Sequence, residues 1–167
     1  PYNNIDVVAG QGTIGIELQE QLPVIPDYVF ISVGGGGLIS GVGSYLRKIF
    51  SEVKIVGCWP RNASALYENL QAGHIFYVAE KDTLSTSTTG NVEPGSITFD
   101  MCKNVISTTQ LVTEEQIQES LTLLREHEGI TVEGSAAVAV AGLLQHKAEG
   151  VLLPGMVAVV ILCGGNI

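Results

Sequence analysis

Four consecutive glycines, Gly34, Gly35, Gly36 and Gly37, stand between an apolar run, Tyr28-Val29-Phe30-Ile31, and a helix-like stretch over residues 39–50. No other feature narrows the fold as far. Four glycines lose much conformational entropy on ordering, so packing alone is a poor reason to carry them. A flexible linker would not lie between a buried strand and a helix. A strand that ends in glycines and turns into a helix suits an anion. Its successive N–H groups can converge on one phosphate with no side chain in the way. The following helix adds unpaired N–H groups and the positive end of its dipole. We therefore expect Gly34, Gly35, Gly36, Gly37 and Leu38 to form a phosphate loop. We also expect a bulkier residue at Gly35 or Gly36 to impair binding more than folding.

The rest of the chain alternates short β-branched runs with helical patterns. Strands are expected over 5–9, 28–33, 54–59, 104–108 and 157–162. Helices are expected over 12–21, 39–50, 63–72, 97–103, 113–127 and 134–147, with Gly73 ending the third. Thr113 and Gln116 have the spacing of a capping box. Residues 79–95 are polar and rich in Ser, Thr and Gly, which reads as a long loop. Continuous apolar character in the strands implies burial on both faces. The expected fold is α/β: an open, mostly parallel twisted sheet with helices on both faces, a three-layer sandwich. A length of 167 residues fits one domain, 1–167.

Charge excludes some partners. The net charge is −9 with only 8 Lys+Arg, which disfavours nucleic acid and anionic membranes. No apolar run approaches the ~20 residues needed to span a bilayer. The opening residues, Pro1-Tyr2-Asn3-Asn4, have neither the basic nor the apolar part of a signal peptide. Cys58, Cys102 and Cys163 are odd in number and far apart, which fits reduced thiols in a cytoplasmic setting. A chain that opens on proline is expected to be a cut or processed piece of a longer protein.

Two common nucleotide sites fail on spacing. A dinucleotide loop needs a third glycine and an acid at the end of the next strand. Counting from Gly34 or Gly35, the sixth position is Ile39 or Ser40, and the next strand closes on Gly57-Cys58-Trp59. No Gly-Lys-Ser/Thr follows either, so a magnesium-nucleotide loop is absent. A small phosphate ester remains.

Four stretches then carry a resemblance: Ala9-Gly10-Gln11-Gly12-Thr13 with Glu17 beyond it, Ser32 to Leu38, Val92-Glu93-Pro94-Gly95-Ser96, and Val132-Glu133-Gly134-Ser135-Ala136 followed by Cys163-Gly164-Gly165-Asn166. In this order the chain resembles the fold-type II (tryptophan-synthase-β-like) pyridoxal-phosphate enzymes, and among them serine/threonine dehydratases and serine racemases. The resemblance implies a PLP-binding large domain, with pyridoxal 5'-phosphate held by residues 34–38 and with Glu133, Cys163 and Gly164 beside its ring. It places Cys163 at the pyridine nitrogen. A neutral thiol leaves that ring largely unprotonated, so elimination of a β-hydroxyl would lean on the phosphate as acid. A second reading of Cys163 is a small buried hydrophobe. Glu133 reads equally as a carboxylate at a helix N-terminus.

The resemblance also implies what this chain lacks. The family's Schiff-base lysine lies in an S-x-K-x-R-G segment, and its substrate-carboxylate loop is S-x-G-N-[HF]; neither occurs here. Lys48, Lys54, Lys81, Lys103 and Lys147 have other settings. No catalytic residue is therefore assigned. The cation site of racemase-like members falls on Trp59, Ala63 and Ala65, so no metal is expected. Thr86-Ser87 replaces the Asp-Gly many members carry. His74, His127 and His146 read as structural residues at helix ends or surfaces, and Glu114-Glu115 as a pair stabilised by a helix dipole.

The resulting expectation is the C-terminal part of a serine/threonine ammonia-lyase, forming a 2-keto acid and ammonia from a small amino-acid substrate. Alone it would be inactive and would bind the cofactor weakly and non-covalently. Three alternatives stay open: a non-catalytic phosphate-binding or regulatory domain, one half of a split enzyme with a separate N-terminal segment, and a racemase-like activity. The family further implies a homodimer.

Overall fold

The computed structural model describes residues 2–165. They form six α-helices and one four-stranded parallel sheet. In chain order these are α1 (Ile5–Gln21), β1 (Tyr28–Ser32), α2 (Gly37–Ile49), β2 (Lys54–Pro60), α3 (Ala65–Ala72), α4 (Ile97–Val105), β3 (Thr108–Val112), α5 (Glu114–Leu123), α6 (Gly134–Ala148) and β4 (Ala158–Val160). The α/β sandwich is as expected.

Alternation along the strands sorts the core into two halves. Val29, Ile31, Ile55 and Trp59 point to the face covered by α2, α3 and α4, where Ile39, Leu46, Leu66 and Cys102 meet them. Phe30, Val56, Cys58 and Val112 point the other way, onto Ile117 of α5 and Ala137, Val138 and Ala141 of α6. Gly57 has no side chain because the Trp59 ring takes that place, 2.6 Å from where its Cβ would be.

The strand order is β3-β2-β1-β4, all parallel. The chain builds outward from β1 to β3 with helices on one face. It then crosses through α5 and α6 on the other face and returns to the far side of β1. The direction of winding therefore reverses between β1 and β4. In open α/β sheets the carboxyl ends of strands at such a reversal leave a crevice. The glycine run follows β1 at that point.

Two expectations about elements fail. Residues 5–9 are not a strand. They are the first turns of α1, started by Asn4, whose Oδ1 accepts from the N–H groups of Asp6 and Val7. A cap at Asn4 outweighs the β-branched content of Ile5-Asp6-Val7-Val8. The third strand is not 104–108 either. Asn104 and Val105 finish α4, and β3 runs Thr108–Val112, with Val56 beside Thr108 and Pro60 beside Val112. Its amino end is anchored by Ser107, whose Oγ accepts from the Ile55 N–H at 2.9 Å and from Arg47 Nη2 at 3.1 Å. Smaller adjustments concern the ends. Thr113 and Gln116 form the expected reciprocal cap, but α5 ends at Leu123 and its last turn widens over 124–128 before Gly129. The long loop contains one turn of 3-10 helix, Thr86–Thr88. No helix among the described residues is long and apolar enough to cross a membrane.

Candidate cofactor site

At the β1/β4 reversal lies a cleft of about 360 Å³. The glycine run forms its floor. Gln11 of α1, Ser87 and Thr88 of the long loop, Ser135 of α6 and Cys163 after β4 form its walls. Five separate segments thus meet at one point.

Gly34, Gly35, Gly36 and Leu38 border this cleft, as does Gly37 at the first position of α2. The N–H groups of residues 34–37 make no hydrogen bond to any of the described residues. Gly36 caps α2 with φ +86°, a left-handed conformation that L side chains rarely adopt. The glycines are also tightly backed by protein. A Cβ on Gly34 would lie 3.0 Å from the Thr88 backbone. One on Gly35 would enter the Tyr2 ring, and one on Gly36 would meet Cys102 Sγ at 2.8 Å and Leu66 Cδ2 at 2.9 Å. The absence of side chains therefore serves packing behind the loop as well as the opening in front of it. Packing is thus one reason for these glycines, beside the opening that the expectation of a phosphate loop calls for.

Cys163 and Gly164 stand where β4 ends, and both meet the start of α6. The Glu133 N–H donates to the Gly164 carbonyl at 3.0 Å. A Cβ on Gly164 would come within 3.2 Å of the Glu133 carboxylate carbon and 3.0 Å of Ser135 Oγ. Glu133 is the residue before α6, so its carboxylate sits at the positive end of that helix. Ser87 Oγ donates to Glu133 Oε2 at 2.6 Å, tying the long loop to the cleft wall. Gly134 lets the loop pass, since a Cβ there would collide with the Leu84 carbonyl. Burial pushes the Cys163 thiol pKa up, opposed by a hydrogen bond to its own backbone, while the lesser effects of the Glu133 charge and of Ser32 raise and lower it respectively. The group beside the cleft is a neutral thiol at ordinary pH.

Two hydroxyls in the cleft lack partners. Ser32 and Ser135 are 4% and 2% exposed. Neither Oγ makes a hydrogen bond of ordinary geometry among the described residues, although the Ser32 hydroxyl lies near enough to the Cys163 thiol to lower its pKa slightly. A buried hydroxyl left unsatisfied costs about 1–3 kcal/mol. Two of them around one cleft, with free N–H groups on its floor, fit a polar ligand with an anionic end.

Sequence reasoning singled out Gly34 to Leu38, Glu133, Cys163 and Gly164, and all of them border the cleft or contact its walls. It gave no part to Tyr2, Gln11, Ser32, Thr88 or Ser135. The signal for Ser32 and Ser135 was their place inside two quoted motifs. The Ala9 to Thr13 motif lies in mid-helix, where Gly12 approaches the Gly41 carbonyl at 3.3 Å and Gln11 reaches the cleft. Asn166 lies outside the described residues. All five lysines are exposed and none lines the cleft. Trp59, Ala63 and Ala65 are buried. His74 and His127 are exposed, but His146 is buried edge-on against Phe30 and Tyr28. Burial lowers its pKa, outweighing the Glu149 charge and a hydrogen bond to the Gly142 backbone, both of which favour the charged ring.

Residues 1–164 match the family described as "Pyridoxal-phosphate dependent enzyme". The chain belongs to this family. Among curated members of the pyridoxal-phosphate dependent enzymes, it is 36% identical over 167 residues to the L-threonine ammonia-lyase of Thermotoga maritima, covering all of this chain and 40% of that protein. It is 31% identical to the catabolic L-threonine dehydratase of Escherichia coli K12, covering all of this chain and 50% of that one. Among solved structures of pyridoxal-phosphate dependent enzymes, serine racemase from Dictyostelium discoideum superposes with a TM-score of 0.86 at 32% identity, over 99% of this chain and 52% of the other. The chain spans about half the length, or somewhat less, of these relatives.

Proposed function

We propose that this chain is the PLP-binding large domain of an ammonia-lyase acting on a small β-hydroxy amino acid. The observation that carries this reading is the cleft itself: free N–H groups on residues 34–37 opposite two unpartnered serine hydroxyls and a neutral thiol. The lyase, as opposed to a binding domain, rests on the likeness to threonine ammonia-lyase and dehydratase. The likeness to serine racemase keeps racemisation as the second reading.

The N–H groups of residues 34–38 would hold the phosphate, using the open end of α2 and no cationic side chain. Cys163 would face the ring nitrogen, with Ser32 and Ser135 offering hydroxyls beside it. When bound, pyridoxal phosphate supplies the electron-accepting ring on which amino-acid chemistry depends. Glu133 is held at the α6 N-terminus by its N–H bond to Gly164 and by Ser87, and burial, with a smaller contribution from the Glu133 charge, keeps the neighbouring thiol protonated. The protein thereby presents a neutral group to the ring. The lysine and the substrate-carboxylate loop would come from a segment outside this chain, so binding here is weak and non-covalent.

Thermal unfolding with and without ligand tests this. At ten times Kd a ligand adds about 1.4 kcal/mol, or roughly 3–6 °C for a chain of this size. Both inorganic phosphate and pyridoxal phosphate should raise the midpoint, the cofactor at lower concentration. Ser135→Ala should leave the free protein at least as stable as before, since its hydroxyl has no partner to lose, yet narrow the cofactor's advantage over inorganic phosphate. No shift with either ligand overturns the reading.

A further inference from the structure

We infer that Thr98 is a positioning residue for the phosphate loop: its hydroxyl fixes the Gly35–Gly36 peptide so that the Gly36 N–H faces the cleft. This rests on the cofactor reading above and concerns a residue outside the cleft. Thr98 is fully buried in the first turn of α4. Its Oγ1 donates to the Gly35 carbonyl at 2.6 Å.

A trans peptide is planar, with its C=O and N–H pointing in opposite directions. Holding the Gly35 oxygen on one side therefore sends the Gly36 N–H to the other. Gly36 would otherwise leave this plane loosely held, because glycine turns with little steric penalty. The next plane is fixed in the same manner: the Gly36 carbonyl accepts from the Ser40 N–H at 3.0 Å and from Cys102 Sγ at 3.8 Å. Two successive N–H groups, of Gly36 and Gly37, are thus aimed by bonds made behind them.

The hydroxyl chain has a direction. Thr98 has one hydroxyl proton and gives it to a carbonyl, which can only accept. The 2.8 Å contact between Thr98 and Ser96 is therefore a bond donated by Ser96. Such a chain polarises each member and strengthens the last bond. The turn that carries Ser96 is pinned in turn by the amino-terminal residues. The Glu93 N–H donates to Tyr2 Oη at 2.9 Å, Asn3 Nδ2 donates to Glu93 Oε2 at 2.9 Å, and the Ile97 N–H donates to Asn3 Oδ1 at 3.0 Å. Tyr2 also packs its ring on Gly35.

The test uses the whole chain, with inorganic phosphate and pyridoxal phosphate as separate probes. In the unmodified protein, the Gly36 and Gly37 amide resonances should be among the most strongly shifted by inorganic phosphate. Thr98→Val should weaken phosphate binding roughly tenfold, the value of one charge-assisted hydrogen bond. Thr98→Ser, which keeps the hydroxyl, should stay within about threefold of the original. A wild-type protein that responds to neither probe overturns the loop itself and this inference with it. A wild type that binds phosphate without moving the Gly36 amide overturns only the role of Thr98. So does a folded Thr98→Val that binds as tightly as wild type. The amide measurement decides the matter even where Thr98→Val fails to fold.

Discussion

At Gly36, folding and binding make separate demands on one residue. Its φ of +86° excludes ordinary side chains at modest cost, and the space behind it is already filled by Cys102 and Leu66. A left-handed non-glycine residue costs about 1–2 kcal/mol and overpacking typically 1–3 more. Gly36→Ala should therefore lower the unfolding free energy by roughly 2–5 kcal/mol in denaturant titrations without ligand. A loss below about 0.5 kcal/mol would show that the loop relaxes around a methyl group. This sets a sizeable folding cost beside the expectation drawn from the glycine run, that binding would suffer more than folding. The run identified where a phosphate would sit. It carried no sign of Cys102 and Leu66, which arrive from elements 66 and 30 residues downstream. The unpartnered hydroxyls of Ser32 and Ser135 were equally hidden, since a serine inside a motif looks the same whether or not its hydroxyl has an acceptor. Cys163 and Glu133 were picked out only through the family resemblance, on motifs in which a glycine follows each.

At the level of elements, α1 and α2 pack backbone against backbone, and glycine permits it. A Cβ on Gly41 would run into the Val8 carbonyl and lie 2.7 Å from the Gly12 N. Gly10, on the outer side of α1, has nothing within 4 Å of its added Cβ. The two helical glycines should thus respond in opposite directions. Gly10→Ala should stabilise by about 0.5–1 kcal/mol through helix propensity. Gly41→Ala should destabilise by about 1–3 kcal/mol, because backbone and not a flexible side chain must move. Equal responses in thermal or urea unfolding would refute the close helix contact. Sequence periodicity did recover β1, β2, α2, α3 and α6 to within a few residues, since each has a continuous apolar stripe. It failed where a polar residue decided the matter. Asn4 turned an apparent strand into the start of α1, and the polar run Ser107 to Gln110 hid β3 behind the end of α4. The topological reversal between β1 and β4 was not legible at all, because the order of strands in a sheet depends on which face α5 and α6 cover.

For the molecule as a whole, the three buried or half-buried thiols predict how stability depends on pH. Burial raises the pKa of Cys58, Cys102 and Cys163, that of Cys102 to about 11. An unfolded thiol ionises near ~8.5. Between those values the native state binds more protons than the unfolded one, so stability is full below about pH 8.5 and falls as pH rises towards 11. Urea midpoints measured from pH 7 to 10.5 should decline, and Cys102→Ala should flatten the decline. A constant midpoint would mean the thiols ionise equally in both states. The positions of the lysines lead to a prediction about activity. Lys48, Lys54, Lys81, Lys103 and Lys147 are all exposed, and Lys54 begins the strand whose other end lies towards the cleft. No lysine among the described residues borders the glycine loop. Covalent attachment of the cofactor needs an amine within bonding reach of it, and misplacement of reacting groups by about 1 Å can cost ~100-fold. Borohydride treatment with pyridoxal phosphate should therefore leave no stoichiometric adduct on any one lysine in intact-mass and peptide analysis. L-Serine and L-threonine should yield no keto acid with the isolated chain, and a second polypeptide carrying the lysine and the substrate-carboxylate loop should restore turnover. A single fully labelled lysine, or turnover by this chain alone at the ~1–10³ s⁻¹ of ordinary enzymes, would show that the cleft completes itself from residues within these 167.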